Sequence, residues 1–164
     1  MINSKKDAEA FAAAMKYPPL GQRSWGPTLA VAHTGQTLDD YFKTANSFTL
    51  AIAMIETREA LAALDDILAL DGIDAVFVGP SDLSIALSDG RDVNPGRDDV
   101  LAALDHVLKR AKIHKKAACC FAPSPKSVRE LTQKGFDLMA IGTDFGQLRQ
   151  GARAQIEIAR GHRE

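Results

Sequence analysis

The chain has 164 residues, of which 46% are hydrophobic and 25% charged, with a formal net charge of −1; this is the composition of one ordinary globular domain long enough to bury a core. A near-neutral balance without a lysine- or arginine-rich stripe argues against nucleic acid and anionic membrane surfaces as partners. The apolar runs are too short to cross a bilayer, and MINSKKDAEAF lacks the apolar stretch of a signal peptide, so a cytoplasmic location is expected.

Residues 4–16 place Ala8, Phe11, Ala12 and Met15 at helical spacing, with Asn3 or Ser4 available as N-cap, and Pro18 and Pro19 end that helix. A loop containing Gly21, Gly26, Pro27 and Gly35 follows, then a short amphipathic helix over Leu38 to Ala45. FTLAIAMI (48–55) is an apolar run of strand length. The next helix carries Ala60, Leu61, Leu64, Ile67 and Leu68 on one face and stops at Asp71-Gly72, before the strand AVFVG (75–79). Beyond a loop rich in Gly, Pro and Asn, residues 97–114 repeat the helical pattern through Val100, Leu101, Leu104, Val107 and Leu108. The strand AACCF (117–121), a helix announced by Ser124 and Pro125, the strand DLMAIG (137–142) and a helix from Asp144 to Arg160 complete the series.

The order is one helix followed by four βα units, and the strands are continuous apolar runs rather than alternating ones. That pattern marks a parallel sheet covered on at least one face and usually both. Either an open doubly wound sheet or part of a (β/α)8 barrel fits; a complete barrel takes eight strands and about 250 residues, and four strands cannot close one. Cys119 and Cys120 are adjacent, so on a strand they point to opposite faces and do not pair. They read as small buried hydrophobes.

In a parallel α/β sheet, reactive groups gather where each strand hands over to its helix. Glu56 follows the first strand and Pro80-Ser81-Asp82 the second, while Ala122-Pro123-Ser124 and Thr143-Asp144 follow the third and fourth. Two carboxylates beside a low-dielectric core repel unless a cation lies between them, and a hard divalent ion such as Mg²⁺ or Mn²⁺ takes oxygen ligands while keeping positions open for substrate. Structural readings compete: Glu56 as an acid at a helix N-terminus, Asp82 as the N-cap of a short turn. Thr57 reads as an N-cap, Arg58 as the partner of a surface acid, Gly79 and Pro80 as turn formers, and Asp144 as an N-cap rather than a third ligand. His106 and His114 lie on a helix or at its end, His33 in a loop and His162 in the tail, none at metal-ligand spacing.

The stretch MIETREALAALDDILALDGIDAVFVGPSDLS, Met54 to Ser84, resembles the HpcH/HpaI aldolases, a family of metal-dependent pyruvate aldolases acting on 2-keto acids. Met1 to Pro27 resembles the segment that precedes this motif in the family, and LMAIGTD (138–144) its last barrel strand. The resemblance implies a single domain over 1–164, the C-terminal half of a (β/α)8 barrel with about four parallel strands and flanking helices. It implies Glu56 and Asp82 as ligands of Mg²⁺, Mn²⁺ or Co²⁺, and Ser81, with its neighbours Gly79 and Pro80, against the pyruvate carboxylate. Where the family has a substrate-contacting Gln, this chain has Met54, which removes a polar contact.

The family's catalytic His, the Asp that orients it and its enolate-stabilising Arg belong to a segment expected upstream of Met1, so no catalytic residue is assigned within the chain. The metal would act as Lewis acid on the keto acid without a Schiff base, and no lysine stands at a strand end in an apolar setting. The expected activity is that of a lyase joining or cleaving pyruvate and an aldehyde. A non-catalytic or split-enzyme subunit on the same half barrel, and a citryl- or malyl-CoA lyase-like enzyme, are the alternatives. Open sheet edges lead us to expect a homo-oligomer.

Overall fold

The computed structural model describes residues 1–161. Helix α1 spans Lys5–Met15, and of the two candidate caps it is Ser4, not Asn3, whose side chain accepts from the N3 amide of Asp7 at 3.1 Å. The stretch expected to be a loop contains a further helix, α2 (Thr28–Thr34), closed by Gly35 at φ 66°, a left-handed position that glycine adopts without steric penalty. It carries His33 in its last turn. Thr37 caps α3 (Leu38–Phe48), which runs past Ala45 into the segment expected to be strand. The first strand, β1, is therefore only Ile52–Met54 rather than 48–55.

Thr57 caps α4 (Arg58–Ala62) as expected, accepting from Ala60 N at 3.0 Å. The single helix anticipated here is broken at Ala63, and α5 covers Leu64–Leu68. After β2 (Ala75–Val78) comes α6 (Pro80–Leu87), where a loop had been expected. Then follow α7 (Asp98–Ile113), β3 (Ala117–Ala122), α8 (Pro125–Lys134), β4 (Leu138–Ile141) and α9 (Asp144–Ala159). Thr143, not Asp144, caps α9; Asp144 is the first helical residue and its Oδ1 accepts from Phe145 N at 2.7 Å.

The strands form one parallel four-stranded sheet in the order β1-β2-β3-β4. Residues alternate between its faces. Ala53, Ile55, Val76, Val78, Ala118, Cys120 and Ala122 point to the helical side and are fully buried with Leu64, Ile67, Leu68, Leu104 and Val107. Each such leucine or valine contributes about 1.5–3 kcal/mol on burial. The opposite face is not covered: Met54 and Leu138 remain 39% and 53% exposed on it. The sheet is thus layered with helices on one side rather than on both, and it does not close on itself. Cys119 and Cys120 are buried and free, and burial raises the Cys120 thiol to about 12, as expected for inert packing residues. Among the described residues no helix is long and apolar enough to cross a membrane.

Beneath the sheet, at the N-terminal ends of the strands, Lys16 is 3% exposed. Its ammonium donates to the carbonyls of Asn46 and Thr49 and to Asp74 Oδ2 at 2.8 Å. Asp74 Oδ2 also accepts from Ala51 N at 2.7 Å, tying the start of β1 to the approach of β2. A satellite cluster of Tyr17, Tyr41 and Ala45 packs beside it, with Trp25 and Phe42 in tilted and edge-to-face contacts at ring-centroid distances of 5.3–6.4 Å.

Candidate functional site

At the C-terminal ends of β1 and β2 the open face of the sheet becomes polar. Met54 pairs with Phe77 in register, so two residues further along Glu56 stands beside Gly79 and projects from the same face. Glu56 is buried, at 5% exposure. A β-carbon at Gly79 would stand 2.1 Å from Glu56 Oε1 and 3.1 Å from its Cδ; only a glycine leaves room for the carboxylate to lie across the neighbouring strand. The Gly79 N–H donates to that carboxylate. Gly79 is therefore more than a turn former: its missing side chain is the seat of Glu56.

Pro80 occupies the first position of α6, Ser81 the second and Asp82 the third, with Gly79 as N-cap. Asp82 is thus in the first helical turn, where an acid complements the helix dipole, and is not itself the cap. It is exposed and faces the same cavity as Glu56. The Ser81 carbonyl is taken by Ser84 Oγ at 2.7 Å, while its N–H, in the first turn, has no intrahelical acceptor. The cavity measures about 300 Å³ and is walled by Met54, Phe77, Phe121 and Pro80 around the two carboxylates.

The electrostatics of the pair are unfavourable as they stand. Desolvation, and then the like charge of Asp82, raise the Glu56 carboxyl above its ordinary value of 4.5; the Met1 amino group and the Gly79 N–H work against that shift without cancelling it. A divalent cation held by the two carboxylates would offset both causes, so the donor set fits a hard metal ion with open positions. Among the described residues no group of three or more His, Cys, Asp or Glu could hold a metal, so the pair would rely on water or substrate for the remaining ligands.

The other sequence candidates lie elsewhere. Arg58 faces Asp89 at 3.5 Å and donates to the Leu87 carbonyl. His114 Nε2 lies 3.2 Å from Asp65 Oδ1 on the helical layer, His33 and His106 sit on α2 and α7, and His162 falls outside the described residues. Lys16 is a buried lysine that the sequence did not reveal, yet it lies at the opposite end of the sheet with its charge paired. Phe77 and Phe121 line the cavity and were not anticipated as site residues. Their signal was present: both point to the Glu56 face by the two-residue alternation of the strands.

A family model described as HpcH/HpaI aldolase/citrate lyase matches residues 1–151. The chain is 38% identical over 160 residues to a hydroxypyruvate/pyruvate aldolase of Rhizorhabdus wittichii, covering 98% of this chain and 62% of that protein. It is 33% identical over 155 residues to a 5-keto-4-deoxy-D-glucarate aldolase of Escherichia coli, covering 93% and 58%. A crystal structure of an HpcH/HpaI aldolase/citrate lyase family protein from Burkholderia cenocepacia superposes with a TM-score of 0.80 at 27% identity, over 98% of this chain and 63% of that one. An HpcH/HpaI aldolase from Desulfitobacterium hafniense shares the fold, with a TM-score of 0.81 at 22% identity over 97% and 61%. The chain spans 62% of the first of these curated relatives and 58% of the second. With a match over nearly its whole length and an α/β fold of four parallel strands, the chain belongs to the HpcH/HpaI aldolase/citrate lyase family.

Proposed function

We propose that this chain carries the metal- and keto-acid-binding part of a pyruvate aldolase, with Glu56 and Asp82 as ligands of Mg²⁺ or Mn²⁺. The observation that supports it is the pairing of a buried carboxylate with a second carboxylate on the rim of one cavity, at the C-terminal ends of adjacent parallel strands. Bound there, the ion supplies Lewis-acid polarisation of a carbonyl. The chain's own residues position it: Gly79 seats and hydrogen-bonds Glu56, α6 holds Asp82 in its first turn, and the unused Ser81 N–H offers a donor to a substrate carboxylate. The proton transfer that accompanies carbon–carbon cleavage needs a base, and the only titratable groups lining this cavity among the described residues are these two ligands. We therefore expect metal and pyruvate binding from this chain with little or no turnover of 4-hydroxy-2-oxo acids.

Mg²⁺ or Mn²⁺ should raise the melting temperature of the wild type and leave that of Glu56→Ala unchanged. No metal effect on the wild type, or an equal effect on the variant, overturns the reading. Assembly with further subunits is part of the same proposal. It is supported by the open sheet face and by α9, none of whose residues is buried while Phe145, Leu148 and Ile158 are 66%, 72% and 55% exposed. A stable monomer in the ultracentrifuge at micromolar concentration would argue against it.

A further inference from the structure

We propose that Ser84 is a positioning residue for Asp82: its buried hydroxyl clasps the first turn of α6 to the loop that follows the helix, and so fixes where the Asp82 carboxylate stands. This rests on the reading of Glu56 and Asp82 as metal ligands and goes beyond it, since Ser84 lies outside the cavity.

Glu56 has its seat against Gly79. Asp82, by contrast, is exposed, and among the described residues no side chain or N–H holds its carboxylate. Its place therefore follows from the backbone of α6. The peptide unit between Ser81 and Asp82 is planar, so its carbonyl and the N–Cα bond of Asp82 turn together. That carbonyl accepts from the Ser84 hydroxyl at 2.7 Å. The same hydroxyl oxygen accepts from the Asn94 N–H at 3.0 Å, ten residues on. Ser84 is completely buried, so water does not compete for either bond.

The loop is a firm anchor. Asp89 and Gly90, at φ 55° and 77°, turn the chain back at the end of α6. Asn94 is held within the loop by its side chain and its carbonyl, which accept from the N–H groups of Gly96 at 3.1 Å and Arg97 at 3.2 Å. Ser88, one turn further along α6, repeats the pattern: it is buried and bonds the Ile85 carbonyl and the Asp92 N–H, each at 3.0 Å. Serines inside helices often bond back to a carbonyl of the preceding turn, so the pattern alone is structural. The difference lies in position. The carbonyl held by Ser84 belongs to the peptide of Asp82, whereas the one held by Ser88 belongs to the peptide of Ala86, which carries no ligand. Losing either hydroxyl strands a loop N–H, but only the loss of Ser84 frees the turn that carries Asp82.

The test compares Ser84→Ala with Ser88→Ala in the full chain, by thermal melting without metal and by the Mn²⁺ concentration that half-saturates the protein in water-proton relaxation. Both variants should melt below the wild type by similar amounts, since each leaves a buried N–H without its acceptor. Ser84→Ala should need about tenfold more Mn²⁺, the low end of the loss when a group behind a metal ligand is removed, and Ser88→Ala should stay within about twofold of the wild type. Ser84→Cys, which fills the space with a weakly hydrogen-bonding thiol, takes the place of Ser84→Ala if that variant does not fold, and should weaken Mn²⁺ binding in the same direction. A Ser84 variant that half-saturates at the wild-type concentration, or a Ser88 variant weakened as much as it, overturns the clasp and leaves the proposed function standing. Mn²⁺ binding that is absent from the wild type, or equally strong in Glu56→Ala, overturns both.

Discussion

The two ends of the sheet treat buried charge in opposite ways. At the N-terminal end Lys16 meets a carboxylate and two carbonyls, and Asp74 meets both Lys16 and the Ala51 N–H. At the C-terminal end Glu56 is nearly as buried as Lys16, yet its neighbour across the cavity is another carboxylate and its proton affinity is raised. Satisfied polar groups hold a barrel-type sheet together, whereas unsatisfied ones at the C-terminal face are where ligands belong. The difference separates residues that stabilise this chain from residues that give it something to bind.

Breaking the satisfied end should have the largest effect on folding and none on binding. Lys16→Ala removes the partner of Asp74 and leaves the Asn46 and Thr49 carbonyls without their donor. A loss of about 3 kcal/mol is expected in urea unfolding, the low end for a broken buried pair, because the Asp74 side chain is 31% exposed. The Mg²⁺-induced rise in melting temperature should survive in whatever fraction remains folded. If Lys16→Ala instead abolished the metal response, the two ends would not be independent.

Gly79→Ala should do the reverse. Its methyl group would stand 2.1 Å from Glu56 Oε1, forcing the carboxylate out of its seat, so the metal response should disappear while stability falls by about 1–3 kcal/mol, as for other overpacked sites. A metal response of wild-type size in this variant would show that Glu56 does not need its seat.

The smallest effect sharpens the contrast most. Because the folded-state carboxyl of Glu56 has a raised proton affinity, its ionised form opposes folding: the penalty is absent at low pH and grows as pH rises from about 4.5 through the folded value. In the absence of metal at pH 7, Glu56→Gln should therefore melt higher than the wild type. With Mg²⁺ present the order should invert, since the ion then compensates the charge that the amide lacks. The wild type's Mg²⁺ response should fade as pH falls through the raised value of Glu56, since protons compete with the ion. A Glu56→Gln variant no more stable than the wild type without metal would place the carboxylate in a more accommodating environment than its burial suggests.

Much of this arrangement can be traced in the sequence, and the misses have specific causes. The buried strand runs, the amphipathic pattern of α7 and the caps Thr57 and Ser124 are local signals, and they appear where expected. Glu56 and Asp82 follow from strand-end position, although spacing alone did not separate a ligand pair from a helix acid and a turn cap. Helix α6 reads as loop in the sequence because its apolar residues are too few to set a clear period, although Pro80 in first position with an acid two residues later is a start signal. Helix α2 lay hidden in a glycine-rich stretch, yet Gly35 closes it in the left-handed conformation. Lys16 gave no signal, since its carboxylate partner is 58 residues away. The seat at Gly79 was equally invisible: it depends on the side chain of a neighbouring strand.

The hydrogen bond from Ala51 N to Asp74 Oδ2 has a reach beyond the end of the sheet where it lies. It anchors β1 five positions before Glu56, in a strand of only three residues with one neighbouring strand. A slip of β1 by a single residue would reverse the direction of every side chain along it, driving the carboxylate into the helical layer and turning Ile55 toward the cavity. Asp74 is thus a phasing pin: with the backbone bonds from Asp74 N and Ala75 N to the Ala51 carbonyl, it helps fix on which side of the sheet the negative charge emerges.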